Sequence, residues 1–269
     1  MEPGEERRQR LLKAMSTVSQ RDIRISPLTT FEQFERCVVL QLETWGYSEG
    51  DVVPRKLFVL APHIGGQVIG AFDRDTIIGF AMALPGYRSG RAYLHSHMLA
   101  VLPGYRNAGI GRRLKLAQRD DAIARGFDLM EWTFDPLEIK NAYLNIARLG
   151  AIVRRYQPDL YGSSSSPLQG GLPTDRLYAE WWLRSPRVAA VLRGDAPPVQ
   201  AVERITVPHT IYAWKQDPEQ RNLALAAQTR NREALQSAFH RGLAALGYER
   251  DVEGNGSFLL GWWDDLHDK

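Results

Sequence analysis

The first clear signal along the chain is an alternation. Residues 22–28 (DIRISPL) place apolar side chains at every second position and predict a strand. Thr30 then stands three residues before Gln33, the spacing of a capping box. Phe31, Phe34, Val38 and Leu42 recur at helical spacing up to Gly46. Pro54 opens a short second helix to about His63, with Leu57, Leu60 and Ala61 as its apolar side. Residues 67–73 and 76–84 flank Arg74-Asp75 and predict a hairpin. Residues 92–101 form the next strand. The helix after it carries Ile110, Leu114, Ala117 and Ala124 on one stripe and stops at Gly126. Residues 128–134 predict a strand, 140–149 a helix closed by Gly150, and 151–156 and 176–183 two further strands.

After Ser185 the texture changes. Residues 195–200 hold two prolines and read as a linker, and 202–207 as a strand. Asp217-Pro218-Glu219-Gln220 reads as a helix start, with an Asp cap and proline at the first helical position. The expected helix runs to about Leu246, with Leu235, Phe239 and Leu246 on one face, before a last strand over 257–263.

The order is β-α-α-β-β-β-α-β-α-β-β, followed by a β-α-β extension. A doubly wound dinucleotide domain would repeat βαβ units from its start. Here an antiparallel hairpin precedes the central strand–turn–helix–strand unit. The pattern therefore predicts an α/β (α+β) protein with a mixed central sheet flanked by helices. Residues 1–20 are expected to be a tail or helix and 21–185 the main domain. Residues 186–269 are expected to pack on that core, with an acceptor site or a homodimer contact as their other roles.

Composition narrows this. The 269 residues, 44% of them hydrophobic, suffice for one large core or one and a half domains. The single cysteine, Cys37, excludes an internal disulfide and sits among Val38, Val39 and Leu40 as a buried helix residue. No apolar run approaches the roughly 18 residues of a membrane helix, and no secretory leader pattern opens the chain, so a cytoplasmic location is expected. A net charge of +3 with scattered arginines does not make the basic stripe of a nucleic-acid binder. It does suit an anionic cofactor.

The candidate chemistry lies in 101–114 (VLPGYRNAGIGRRL), a strand end, a glycine-bearing turn and a helix start. Such a turn aims unpaired main-chain N–H groups at one point, and the helix dipole adds positive charge there. Arg106, Arg112 and Arg113 add full charges. A dinucleotide loop wants G-x-G-x-x-G with an acidic residue about 20 positions on. Gly109-Ile110-Gly111-Arg112-Arg113-Leu114 lacks the third glycine, although Asp128 and Glu131 fall near the acidic position. No G-x-x-x-x-G-K-[ST] occurs, which excludes a P-loop. The pattern Arg/Gln-x-x-Gly-x-Gly/Ala is met at every defined position by Arg106-Asn107-Ala108-Gly109-Ile110-Gly111.

With Val101 ahead of it, that pattern resembles motif A of the GNAT superfamily of acyl-CoA-dependent N-acyltransferases. The likeness extends in element order over about 21–185. It implies a GNAT-like sheet, acetyl-CoA as cofactor and direct transfer to a small-molecule amine. By the same resemblance Leu99 and Val101 hold the pantetheine arm through their main chain. The amides of 106–111 (Arg106, Asn107, Ala108, Gly109, Ile110, Gly111), with Arg112 beside them, hold the pyrophosphate. Asn141 matches an asparagine near the pantetheine, with capping its helix as the plain alternative. An amide near Met98 or Leu99 faces the thioester oxygen.

His97 stands where many members carry a glutamate base, sharing a face with His95; Glu131 is the second candidate base. The position of the usual proton-donating tyrosine is Ile146 here, which leaves Tyr156 as its substitute, with Tyr143 and Tyr161 behind it. Two histidines without a third ligand nearby do not make a metal site. The serine- and glycine-rich stretch 161–174 reads as a mobile loop suited to an acceptor carboxylate, with Arg176 or Arg154 adding charge. The long extension and the HSHMLAV strand are similar to a bacterial branch of predicted acetyltransferases, which brings amino-acid acceptors and succinyl-CoA into view. A non-catalytic CoA-binding or sensor module, a dinucleotide enzyme and a structural or interaction protein are the competing readings.

Overall fold

The computed structural model describes residues 22–196 and 198–263. The expected N-terminal tail or helix over 1–20 lies outside them. Ten strands and seven α-helices follow one another: β1 Ile23–Pro27, α1 Phe31–Trp45, α2 Arg55–His63, β2 Gln67–Asp73, β3 Thr76–Arg88, β4 Arg91–Val101, α3 Ile110–Ala124, β5 Leu129–Phe134, α4 Ile139–Ala142, β6 Ile152–Gln157, β7 Arg176–Trp182, α5 Pro186–Arg193, β8 Glu203–Val207, α6 Ile211–Gln216, α7 Arg221–His240, β9 Leu243–Arg250 and β10 Gly256–Trp262. The fold is mixed α/β, built on mostly antiparallel strands flanked by helices. Among the described residues no helix is long and apolar enough to cross a membrane.

The chain divides into two compact units. The first takes in the chain through Gly46, Val52–Pro85 and Ser96–Asp121. In it β1, β2 and β3 lie side by side, antiparallel, next to the second half of β4. Each face of these strands has its own core. Phe34, Cys37 and Leu40 of α1 and Phe58 and Ala61 of α2 pack with Phe80, Met82, Met98 and Ala100. On the other face Ile110 and Leu114 of α3 pack with Ile69, Ile78, Leu99 and Val101.

The second unit holds Tyr47–Asp51, Gly86–His95 and the chain from Ala122 onward. Its strand order runs from the first half of β4 through β5, β7, β6, β9 and β10 to β8. The β4–β5 register is parallel and covers two pairs, Leu94 with Met130 and His95 with Glu131. The described residues of 186–263 belong to this unit together with 122–185.

The capping box at Thr30 forms: the Thr30 hydroxyl accepts from Gln33 N–H, and the Gln33 side chain accepts from Thr30 N–H. The expected face of α1 does not hold. Phe31 is 64% and Leu42 45% exposed, while Phe34, Cys37, Leu40 and Gln41 are buried. The buried stripe is rotated from the one drawn through the largest apolar residues, and Gln41 can lie inside because its side chain satisfies both main-chain groups of Val53. In α2 the inward residues are Phe58 and Ala61, and Leu60 is exposed.

The extension is richer than β-α-β. Asp217 caps a turn through Glu219 N–H, and the helix itself starts at Arg221. It stops at His240, because Gly242 takes a φ of +88° and turns the chain into β9. Leu246 therefore lies on a strand and not on the helix. Two further helices, α5 and α6, stand where no periodicity announced them.

The rotated face of α1 is open to test. Leu40→Ala should cost roughly 2–5 kcal/mol in urea unfolding, as buried leucines do. Leu42→Ala should stay within about 0.5 kcal/mol, as exposed positions do. Equal losses would restore the other face.

Candidate active site

The turn between β4 and α3 is a short 3-10 turn, Pro103–Tyr105, followed by two left-handed residues. Asn107 has a φ of +64° and Gly109 of +75°. Asparagine is among the few side chains that accept that region; glycine accepts it without strain. Arg113 N–H donates to the Gly109 carbonyl and so begins the helical ladder. The amides just before Arg113 are the helix's first turn, whose N–H groups have no acceptor within the helix.

Glycine also leaves the surface of the turn bare. A methyl group on Gly109 would meet nothing within 4 Å, and one on Gly111 would meet only Leu99 Cδ2 at 3.7 Å. Close packing does not explain these glycines. They keep open a strip of main chain at a helix N-terminus, which fits a pyrophosphate approaching the backbone.

The turn is locked from behind. Tyr105 Oη donates to Asp73 Oδ2 at 2.7 Å. Arg106 donates to the carbonyls of Val101 and Thr44, both at 3.1 Å, the latter in the last turn of α1 where carbonyls lack helical partners. Arg113 donates to the Ile23 carbonyl on β1. This corrects the expected use of the arginines: Arg106 and Arg113 bring charge near the turn, but their guanidiniums hold the scaffold in place.

On β4, alternation buries Leu94, Ser96, Met98 and Ala100. Their contacts reveal an irregularity. Ser96 Oγ receives Lys115 Nζ at 2.7 Å and donates to Gln118 Oε1 at 2.9 Å, so it faces α3. Met98 and Ala100 face α1 and α2, while Leu99 and Val101 face α3. Strict alternation would send Ser96 and Met98 the same way. The side-chain phase therefore shifts once between Ser96 and Leu99. This shift was not legible in HSHMLAV. His97 sits within it with an exposed side chain. The protein around its ring removes enough water to hold its pKa below the usual histidine value.

The other expected site residues lie in the second unit. Glu131, fully buried, accepts from Arg88 Nη1 and from Arg155 Nη2, each at 2.9 Å, and from Arg88 Nη2. Its oxygens are directed at guanidiniums, which is a poor arrangement for receiving an ammonium proton. Tyr156 donates its hydroxyl to Asp175, itself fully buried and gripped by Arg232 at 2.8 and 3.0 Å. Burial and the Asp175 carboxylate push the Tyr156 pKa far up. The Tyr156 hydroxyl is thus engaged by Asp175. Asn141 is exposed on α4, which begins at Ile139 after Glu138, so it does not cap the helix. Ile146 is buried in a π-helical segment, Tyr143–Arg148, that continues α4.

The stretch 161–174 is pinned along its length. Tyr161 N–H donates to Thr174 Oγ1, Thr174 N–H to Asp159 Oδ1, and Ser165 N–H to Asp51 Oδ2.

Residues 32–142 match the acetyltransferase (GNAT) family model. No curated protein matches the chain. Among solved structures it is similar to the ribosomal-protein-S18-alanine N-acetyltransferase of Escherichia coli, at 15% identity and a TM-score of 0.46 over 59% of this chain and 92% of that one. Aminoglycoside 6'-acetyltransferase type Ii gives 20% and 0.48 over 60% and 97%. A GNAT family acetyltransferase from Elizabethkingia anophelis with acetyl-CoA bound gives 15% and 0.45 over 60% and 98%. Likenesses this distant assign no residue a role.

Lys115, fully buried beside Ser96, offers a test of how α3 is seated. Burial holds its pKa well below that of a free lysine. Between the folded and unfolded values the unfolded chain binds more protons, so this group makes stability rise with pH. Lys115→Met should raise the urea midpoint near pH 7, by a margin that shrinks toward about pH 10. A lower midpoint at both pH values would contradict it. The stretch that matches the acetyltransferase (GNAT) family model, residues 32–142, includes the β4–α3 turn.

Proposed function

We propose that this chain is an acyl-CoA-dependent N-acyltransferase that moves an acetyl group to the primary amine of a small molecule. The observation that carries the reading is the open main-chain strip at Gly109 and Gly111, at the N-terminus of a helix and locked by Tyr105, Arg106 and Arg113. A dinucleotide reading has less support, because the strands before the turn form an antiparallel series and not a βαβ unit.

The amides of 107–112 hold the pyrophosphate, and the main chain of Leu99 and Val101 holds the pantetheine arm. Bound acyl-CoA supplies a thioester carbonyl that an amine attacks to give an amide and a free thiol. The phase shift after Ser96 presents an N–H at Met98 or Leu99 to the carbonyl oxygen; a well-placed donor of this kind contributes about 3–4 kcal/mol. His97, whose pKa the surrounding protein holds below the usual histidine value, takes the ammonium proton at a ring nitrogen, directly or through water. No tyrosine need protonate the thiolate, since solvent can do so.

Two substitutions test this. Gly111→Ala should stabilise α3 by up to about 1 kcal/mol, because alanine is the better helix former. It should weaken coenzyme A binding by about tenfold, because the methyl group enters the phosphate strip. Binding by titration calorimetry that is unchanged in a stabilised variant would refute the site. His97→Gln should lower kcat by roughly 10²- to 10⁴-fold. It should also remove the acid limb of the pH–rate profile, which lies below the ordinary histidine pKa. A variant that keeps that limb would exclude His97 as base.

A further inference from the structure

A cavity of about 130 Å³ opens within the second unit, between α4, the loop before α6 and the β9–β10 turn. Its walls are Ile139, Lys140, His209, Tyr212, Arg250 and Gly254. A water takes about 30 Å³ of the liquid, so the space suits one small polyatomic group. Lys140, His209 and Arg250 can carry positive charge, and no wall residue carries negative charge.

Like charges that converge on one space repel unless something answers them. The acids nearby in the chain are engaged elsewhere. Asp251 accepts the main-chain and side-chain N–H groups of Asn255 at 2.9 and 2.8 Å, and Glu253 accepts the same side-chain amide at 3.2 Å. Glu138, two residues before Lys140, accepts from Lys215 Nζ at 3.2 Å. Two arginines of the same unit have acids of their own: Arg204 pairs with Glu249 at 2.7 Å, and Arg241 with Glu203. Lys140 and Arg250 make no ion pair with a described residue.

The cavity is also built in advance. His209 N–H donates to Asn255 Oδ1 at 2.7 Å, which ties the loop before α6 to the β9–β10 turn. That turn is closed by Asp251 N–H donating to the Asn255 carbonyl at 3.1 Å. Gly254 takes a φ of +90°, and a methyl group on it would stand 3.1 Å from His209 Cδ2. Glycine lets the turn lie against the imidazole. The rings of His209 and Tyr212 meet edge to face, with centres 5.9 Å apart.

We propose that this cavity binds a phosphoryl group, carried by inorganic phosphate or by a small phosphomonoester. A tetrahedral oxyanion can turn a different oxygen to each of three donors that come from separate elements. A planar carboxylate is matched instead by the fork of one guanidinium. Lys140 and Arg250 supply the charge, and His209 supplies a ring N–H. The site concerns the second unit alone and stands whether or not the chain transfers acyl groups.

Titration calorimetry of the full chain with inorganic phosphate, in a buffer free of it, tests the site. Saturable binding should appear, with Kd raised at least about tenfold in Arg250→Gln and in Lys140→Gln. Both side chains are exposed, so the fold should survive. Gly111→Ala should keep this binding, which separates the cavity from the β4–α3 turn. Methyl phosphate in place of phosphate identifies the carrier: tighter binding, weakened by the same two variants, points to a phosphomonoester, and weaker binding to the free ion. No saturable binding, binding unchanged in Arg250→Gln and Lys140→Gln, or acetate held as tightly as phosphate would overturn the site. Binding lost only in Gly111→Ala would place the anion at the turn and overturn it equally.

Discussion

One constraint governs the candidate site: main-chain N–H groups can bind a phosphate only where no side chain covers them and the backbone does not give way. The β4–α3 turn meets both conditions with different residues. Gly109 and Gly111 keep the outer surface bare, and Gly109 and Asn107 supply the left-handed backbone. Tyr105, Arg106 and Arg113 fix the turn to β2, to the end of α1 and to β1. Binding a ligand there would order little that is not already ordered, which is the condition under which weak individual contacts add up to affinity.

The arginines show how the same residue type serves two ends. Near the turn, where charge alone suggests phosphate contacts, Arg106 and Arg113 spend their donors on carbonyls that the helix and strand ends leave unsatisfied. In the second unit, Arg88 and Arg155 are held by buried carboxylates and present an outer edge to water. Sequence position cannot separate these uses, because the partners lie far apart in the chain: Arg113 with residue 23, and Arg155 with residues 131 and 180.

Elements with local signals were legible. The Thr30 cap, the Arg74-Asp75 hairpin and the strand–turn–helix around Gly109 each depend on residues a few positions apart, and each lies where the pattern put it. What failed needed tertiary context. The inward face of α1 was drawn through Phe31 and Leu42, yet Gln41 goes inside because Val53 supplies partners for its amide. The helix after Arg221 ends at His240, and Leu246 takes its place in β9. Glu131 and Tyr156 had the right chemistry for a base and an acid, but Arg88 and Arg155 in one case and Asp175 in the other had already engaged them. The phase shift in β4 left no trace in the sequence, because Ser96, His97 and Met98 are acceptable at either phase of a strand.

The account stands most directly on which amides meet coenzyme A. Backbone-resolved NMR during a titration with coenzyme A reads this without any substitution. The shifts should concentrate on the N–H groups of 107–112, moving as amides do when they gain a phosphate acceptor. Saturable binding with those amides unmoved, and the changes gathered elsewhere in the chain, would contradict the account.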